Sequence, residues 1–307
     1  MTDPAPRGRP SWRRRVGLVA SLVVVAFLGW ALVRGWSQVR EYRWDVDPWL
    51  LAGSVAVLAV FLLTSGAGYL GVLESLTGRP VPRAGVLSAW ATSLLGRYVP
   101  GSVLMVVGRV EMSLRHGVPR RVSAAALVYE QALGLGVAAL GAVAFVAVYG
   151  VVGSAWGLAA VAAAAGLLVA LHPRVFGPAS AWALRRAGRE PLGRLIGARR
   201  VAALAAWYAL TAVLLSLGVW MAMRALAGPG VGGLAFVGGA FLFAFTLSMV
   251  LVIFPSGLGV RDGAFALALA QNVPQGVAVA LSASARLLLT VVELAVVGAI
   301  ALWARRR

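Results

Sequence analysis

The stretch Leu94 to Glu111, LLGRYVPGSVLMVVGRVE, decides how the chain must be read: an apolar run is interrupted by Pro100-Gly101 and carries Arg97, Arg109 and Glu111. Charged side chains facing lipid cost about 2.5–3.5 kcal/mol each on insertion scales, so they belong in a bundle interior, in a wet cavity or against one another. A second interruption, Phe254 to Gly263 (FPSGLGVRDG), again sets a proline and glycines, among them Gly257 and Gly259, just before an arginine and a carboxylate, Arg261 and Asp262. Such a break ends one half-helix and starts the next at mid-membrane, where free backbone N–H groups and the positive end of the helix dipole favour an anion. The two breaks read as halves of one site.

Composition sets the medium. Of 307 residues, 61% are hydrophobic, and mean hydropathy is +0.87, too little polar surface to cover a water-soluble globule. The chain reads as an integral membrane protein. All 28 basic residues are arginine, and the net charge is +18. Their clustering at the ends of apolar runs marks topology and argues against nucleic acid as a partner. The absence of cysteine excludes disulfides and thiolate metal sites. His116 and His172 fall in arginine-rich connecting segments and imply no metal, and no cofactor is expected.

Residues 1–15 are rich in proline and arginine and read as a disordered cytoplasmic tail. Val16 to Val33 is a charge-free run whose length, about 27 Å as a helix, suits a first transmembrane span rather than a secretory signal. The loop Arg34 to Asp47 balances three arginines with three carboxylates and carries interfacial aromatics, so it is placed outside. Trp49 to Leu73 spans inward, and Pro80 and Pro82 stop the helix beyond it. Ala84 to Leu114 reads as a re-entrant pair of half-helices, and Val122–Tyr149 and Val151–Leu171 as two spans around an external turn. The segment 172–200 carries seven arginines against Glu190 and predicts an interfacial cytoplasmic helix lying on anionic headgroups. Val201–Met223 spans outward and Gly232–Phe254 inward. Pro255–Gln271 is read as a broken crossing, because otherwise the final span, Val277–Trp303, would leave Arg305-Arg306-Arg307 outside. The expected fold is an all-α polytopic membrane protein of about eight transmembrane helices, with one re-entrant half-helix hairpin and one broken crossing segment. Residues 16–304 form a single domain in the plasma membrane, with both termini cytoplasmic.

Three more charges fall inside spans: Glu130, Arg286 and Glu293. Arg286 and Glu293, seven residues apart, share a helix face but stand about 10 Å apart along it, which favours separate partners. Arginines near both breaks point to a phosphate-bearing headgroup as the ligand. The carboxylates would then hold those arginines, contact a cationic headgroup or carry a coupling proton. The competing reading is that arginine and carboxylate staple the bundle internally and the Pro-Gly kinks only shape helices.

Arg97-Tyr98-Val99-Pro100-Gly101, then Arg109, Glu130 and Gly257-Leu258-Gly259-Val260-Arg261-Asp262-Gly263, resemble the lysylphosphatidylglycerol synthase transmembrane (flippase-like) family from about Trp49 to Trp303. The resemblance implies two re-entrant or broken elements around a central lipid-headgroup cavity. Asp262 stands where that family commonly has glutamate. Family members fused to an aminoacyltransferase domain make aminoacyl-phosphatidylglycerol and move it outward. This chain reaches Arg307 without such a domain, so the flippase-like part alone is expected, and no enzyme activity.

The leading expectation is therefore a transporter moving an anionic or aminoacylated phospholipid, or a polyprenyl-phosphate-linked sugar, between leaflets. A membrane-embedded polyprenyl-phosphate-sugar glycosyltransferase, using Glu41, Asp45 and Asp47 of the first external loop, is the alternative. A third reading is a non-catalytic membrane partner of a cell-envelope biosynthesis enzyme, docked through segment 172–200. A second copy of the chain is a further candidate partner. No P-loop motif is present, so direct ATP use is not expected.

Overall fold

The computed structural model describes residues 33, 36–98, 103–150, 162, 165–186, 188–250 and 259–306. The tail 1–15, the first span except Val33, most of 151–164, and Pro100, Gly101 and Gly257 lie outside the described residues. Among the described residues the chain is helical, without a strand.

In order, α1 is Trp36–Glu41, α2 Pro48–Thr77, α3 Arg83–Leu94 followed by a 3-10 turn Leu95–Tyr98, and α4 Val103–Leu114. Then come α5 Arg120–Tyr149, α6 Pro173–Arg186, α7 Ala198–Ala227, α8 Leu234–Val250, α9 Val260–Leu269 and α10 Gln275–Arg305. Helices α2, α5, α7 and α10 are long and apolar enough to cross a membrane, and α8 is a shorter apolar helix. At 30 or 31 residues each long helix measures about 45 Å, so both its ends pass beyond a roughly 30 Å hydrocarbon core. Leu63, Val128, Leu210, Leu287 and Val291 point outward from these helices, as lipid requires.

Local chemistry sets the helix ends. Asp47 accepts from the N–H groups of Trp49 and Leu50 at 2.9 Å, and Pro48 supplies the pre-set φ at the first position of α2. Gly78 ends α2 at φ +69.

Two sets of connections gather at opposite ends. At one end Asp47 N–H donates to the Ala225 carbonyl (2.8 Å), Tyr42 to Ala227 (2.9 Å), Gly276 N–H to Gln38 (2.9 Å) and Asn272 to Val231 (3.2 Å). These are three of the loops read as external. At the other end Arg83 pairs with Glu74 (3.2 Å), Arg120 with Glu111 and Arg121 with Glu190 (2.6 Å). Segment 172–200 joins this arginine-rich end, with α6 as the helix expected there, and none of α6 is buried.

Helices α3 and α4 form the hairpin that the first break predicts. Gly85, near the start of α3, packs so closely under the His116 ring that a Cβ there would meet Nδ1 at 2.3 Å. The segment therefore enters and leaves at the arginine-rich end. Helices α8 and α9 mirror it from the opposite end, where α8 starts after Gly232 and α9 leads to Asn272. With ten residues, α9 is about 15 Å long, half the depth of the hydrocarbon, and it ends where α8 begins, so this helix alone does not make the crossing expected of Pro255–Gln271.

The buried core has two lobes. One, around Tyr69, Trp90, Tyr129, Leu133 and Leu204, fills the arginine-rich half. The other, around Leu58, Phe145, Met223, Phe241 and Phe265, fills the opposite half.

Candidate functional site

Charged side chains occupy the middle of the bundle. Along α10, Arg286 stands about 16 Å from the Gln275 end and Glu293 about 27 Å, in a helix of about 46 Å. Glu130 stands about 15 Å into α5 from Arg120.

Each hairpin brings a charged side chain to α10, an arginine from the first and a carboxylate from the second. Arg97, in the 3-10 turn that follows α3, pairs with Glu293 at 3.2 Å. Arg286 pairs with Asp262 in the first turn of α9, and Arg261 reaches the other oxygen of the same carboxylate at 3.4 Å. Ser282 donates to the Asp262 carbonyl (2.8 Å), tying the start of α9 to α10. The Arg261 guanidinium lies 5.5 Å over the Phe241 ring. Arg97 and Arg286 are both within electrostatic reach of Arg261, so the two breaks share one field. Gly259 caps α9 at φ +92, a conformation that side-chain-bearing residues rarely take, and it starts the helix at this depth. The first N–H groups of α9 have no carbonyl partner within their own helix and, with the dipole, add positive potential.

Arg109 and Glu130 form a separate, closed unit. Arg109 is 1% exposed; it donates from Nε to Ser93 (2.8 Å), pairs with Glu130, and lies 5.0 Å over Tyr69 and 6.0 Å from the Trp90 ring. Trp90 donates its indole N–H to the other Glu130 oxygen at 2.8 Å. Sequence reasoning did not select Trp90, Ser93 or Tyr69. Their only signal is a polar atom on a residue of an apolar run.

Glu111 is not brought to the cluster. Two residues beyond Arg109 on α4, it faces the opposite side and accepts two bonds from Arg120, at 2.7 and 2.8 Å, at the arginine-rich surface. Of the site residues read from the sequence, Arg97, Gly259, Arg261, Asp262, Arg286 and Glu293 converge, while Arg109 and Glu130 close on one another nearby. No group of three or more His, Asp or Glu among the described residues is placed to hold a metal.

Exposure separates the roles. The side chains of Arg97, Arg286 and Arg261 are 44%, 33% and 25% exposed, more open than Arg109 at 1%. Among the described residues of the arrangement four arginines face three carboxylates, and the neighbouring breaks 99–102 and 251–258 carry no charge. One positive charge is left over, at the carboxylate that Arg261 and Arg286 share. Such an arrangement can hold an anion in a medium where water is scarce.

No curated protein matches the chain. A family model described as the lysylphosphatidylglycerol synthase TM region matches residues 17–298, and the chain belongs to that family of multi-pass membrane proteins.

Proposed function

We propose that the protein is a lipid transporter that passes a phosphate-bearing headgroup between leaflets of the plasma membrane, with its arginine-rich end in the cytoplasm. The observation that carries this is the unbalanced arginine at mid-depth, where two half-helix hairpins from opposite ends meet α10. The substrate class is an anionic or aminoacylated phospholipid, or a polyprenyl-phosphate-linked sugar.

The physical task is to lower the cost of a charge at the bilayer centre. A phosphate approaching from either end exchanges its water for Arg261, Arg286 and the start of α9, which supply charge-assisted bonds already in place. Arg97 is the most exposed of the set and is held by Glu293 alone among the ion pairs of the cluster. On binding, the phosphate competes with Glu293 for Arg97. The closed Arg109–Glu130 unit holds the α3–α4 hairpin against α5 while this exchange occurs.

Against the glycosyltransferase reading on Glu41, Asp45 and Asp47 stands the use of one Asp47 carboxylate oxygen as a helix cap, accepting from two backbone N–H groups of α2. Leaflet-resolved lipid measurement in cells with and without the gene tests the proposal, with Arg261→Gln and Arg97→Gln as controls. A change in asymmetry for one phosphate-bearing lipid, lost in both variants, is expected. Unchanged asymmetry for every candidate lipid would overturn it.

A further inference from the structure

A groove between α2 and α7 at the arginine-rich end is independent of the mid-membrane cluster. In the opposite half these helices close tightly: Ser54 donates to the Gly218 carbonyl at 2.7 Å, and Leu58 packs where a Gly218 Cβ would stand. Towards the arginine-rich end they stay in contact, with Gly68 close to Trp207 and Gly71 close to Leu204, and a cavity of about 390 Å³ lies along them. Its walls are apolar, with Ala67, Leu70, Leu204 and Trp207. Its mouth is charged, with Arg83 and Arg200 against Glu74.

The two regions fit the two parts of a lipid. Arg200 is anchored by its Nε bond to Ser75 (3.1 Å), and its terminal nitrogen lies 3.5 Å from where a Gly71 Cβ would be, so the guanidinium sits along the groove. Trp207 is seven residues further along α7, about 10 Å deeper, and its indole N–H is fixed to the Thr64 carbonyl at 2.8 Å. An apolar-walled groove open to hydrocarbon fills with an acyl chain. The mouth holds one more arginine than it has carboxylates and therefore selects a negative headgroup.

We infer that this groove is a binding site for one anionic phospholipid of the leaflet at the arginine-rich end, its phosphate on Arg200 and Arg83 and its chain along Leu204 and Trp207. The test is native mass spectrometry of the purified full chain, released from detergent after titration with phosphatidylglycerol or phosphatidylcholine. One phosphatidylglycerol is expected to be retained in preference to phosphatidylcholine. Arg200→Gln weakens that retention about tenfold, as loss of one charge-assisted bond implies. Ala203→Trp, which fills the groove from an exposed position, abolishes it. Arg261→Gln leaves it intact, which separates this lipid from any bound at mid-membrane. Equal retention of both lipids, unaltered retention in Arg200→Gln and Ala203→Trp, or a dimer replacing the lipid-bound monomer would each overturn the assignment.

Discussion

Replacing Arg109 by leucine separates a structural role from a ligand role. Arg109 is 1% exposed and Glu130 11%, so among the described residues the change leaves the Glu130 carboxylate with the Trp90 indole N–H as its donor. Breaking a buried pair from one side costs about 3–5 kcal/mol, because the remaining charge is uncompensated. Trp90 still serves one oxygen, which places the expected loss at about 3 kcal/mol, the low end of that range. The double variant Arg109→Leu with Glu130→Leu removes both charges, so most of that loss should return, a coupling of roughly 2 kcal/mol. Arg97→Gln is the contrast. Its guanidinium is half exposed but Glu293 is only 7% exposed, so some stability is lost; the loss should stay below that of Arg109→Leu, because the glutamine amide can still donate and Glu293 keeps a further interaction, while transport is lost. Denaturant unfolding in micelles, alongside lipid transport in proteoliposomes, reads both quantities. If Arg109→Leu kept its unfolding midpoint and lost transport, Arg109 would be a headgroup ligand and the closed-unit argument would be wrong.

Three further outcomes follow from the ends of the bundle. Asp47→Ala should cost about 1 kcal/mol through loss of the α2 cap, measured by unfolding, and leave transport unchanged; loss of function without loss of stability would restore the glycosyltransferase reading. Gly85→Ala should destabilise the α3–α4 hairpin because its Cβ meets the His116 ring, and adding His116→Ala should relieve it, as thermal unfolding of the single and double variants will show. The Arg121 hydrogen bond holds the Glu190 carboxyl below its ordinary 4.5, so the folded state favours the charged form. The contribution of that pair is present above 4.5 and disappears as pH falls through the lowered value; hydrogen exchange in residues 188–197 should therefore rise only on acidification below 4.5.

Much of this arrangement was legible as sequence because hydrocarbon makes charge conspicuous. Arg97, Arg261, Asp262, Arg286 and Glu293 stand out from apolar runs, and the seven-residue spacing on α10 already favours separate partners for Arg286 and Glu293. Which partners they take was not legible. Glu293 meets Arg97 almost two hundred positions earlier, and no local pattern encodes such a contact. Helix limits also ran beyond the apolar runs: α2 continues to Thr77, since Glu74 and Thr77 reach the polar end, where Arg83 and the backbone serve them. Glu111 misled for a different reason. Proximity to Arg109 in sequence suggested a shared site, but two residues on a helix turn about 200°, and that rotation sends one charge into the core and the other to the surface.

The same geometry gives α10 a part that neither break has alone. Its two charges lie on one face, Arg286 towards the hairpin from one end and Glu293 towards the hairpin from the other. A shift of α10 by one turn, about 5.4 Å, would loosen one contact as it strained the other, so the two hairpins cannot move independently of it. A headgroup that takes Arg97 from Glu293 thus releases the α3–α4 side first and leaves Arg286 with Asp262. Charge reversal on α10, Arg286→Glu with Glu293→Arg, keeps its net charge and breaks both pairings. It should abolish transport, and adding Asp262→Arg should restore the α9 contact without restoring the α3 one. Spin-label distances between α10 and each hairpin would then separate the two sides. If both contacts returned together, the hairpins would be coupled by another route.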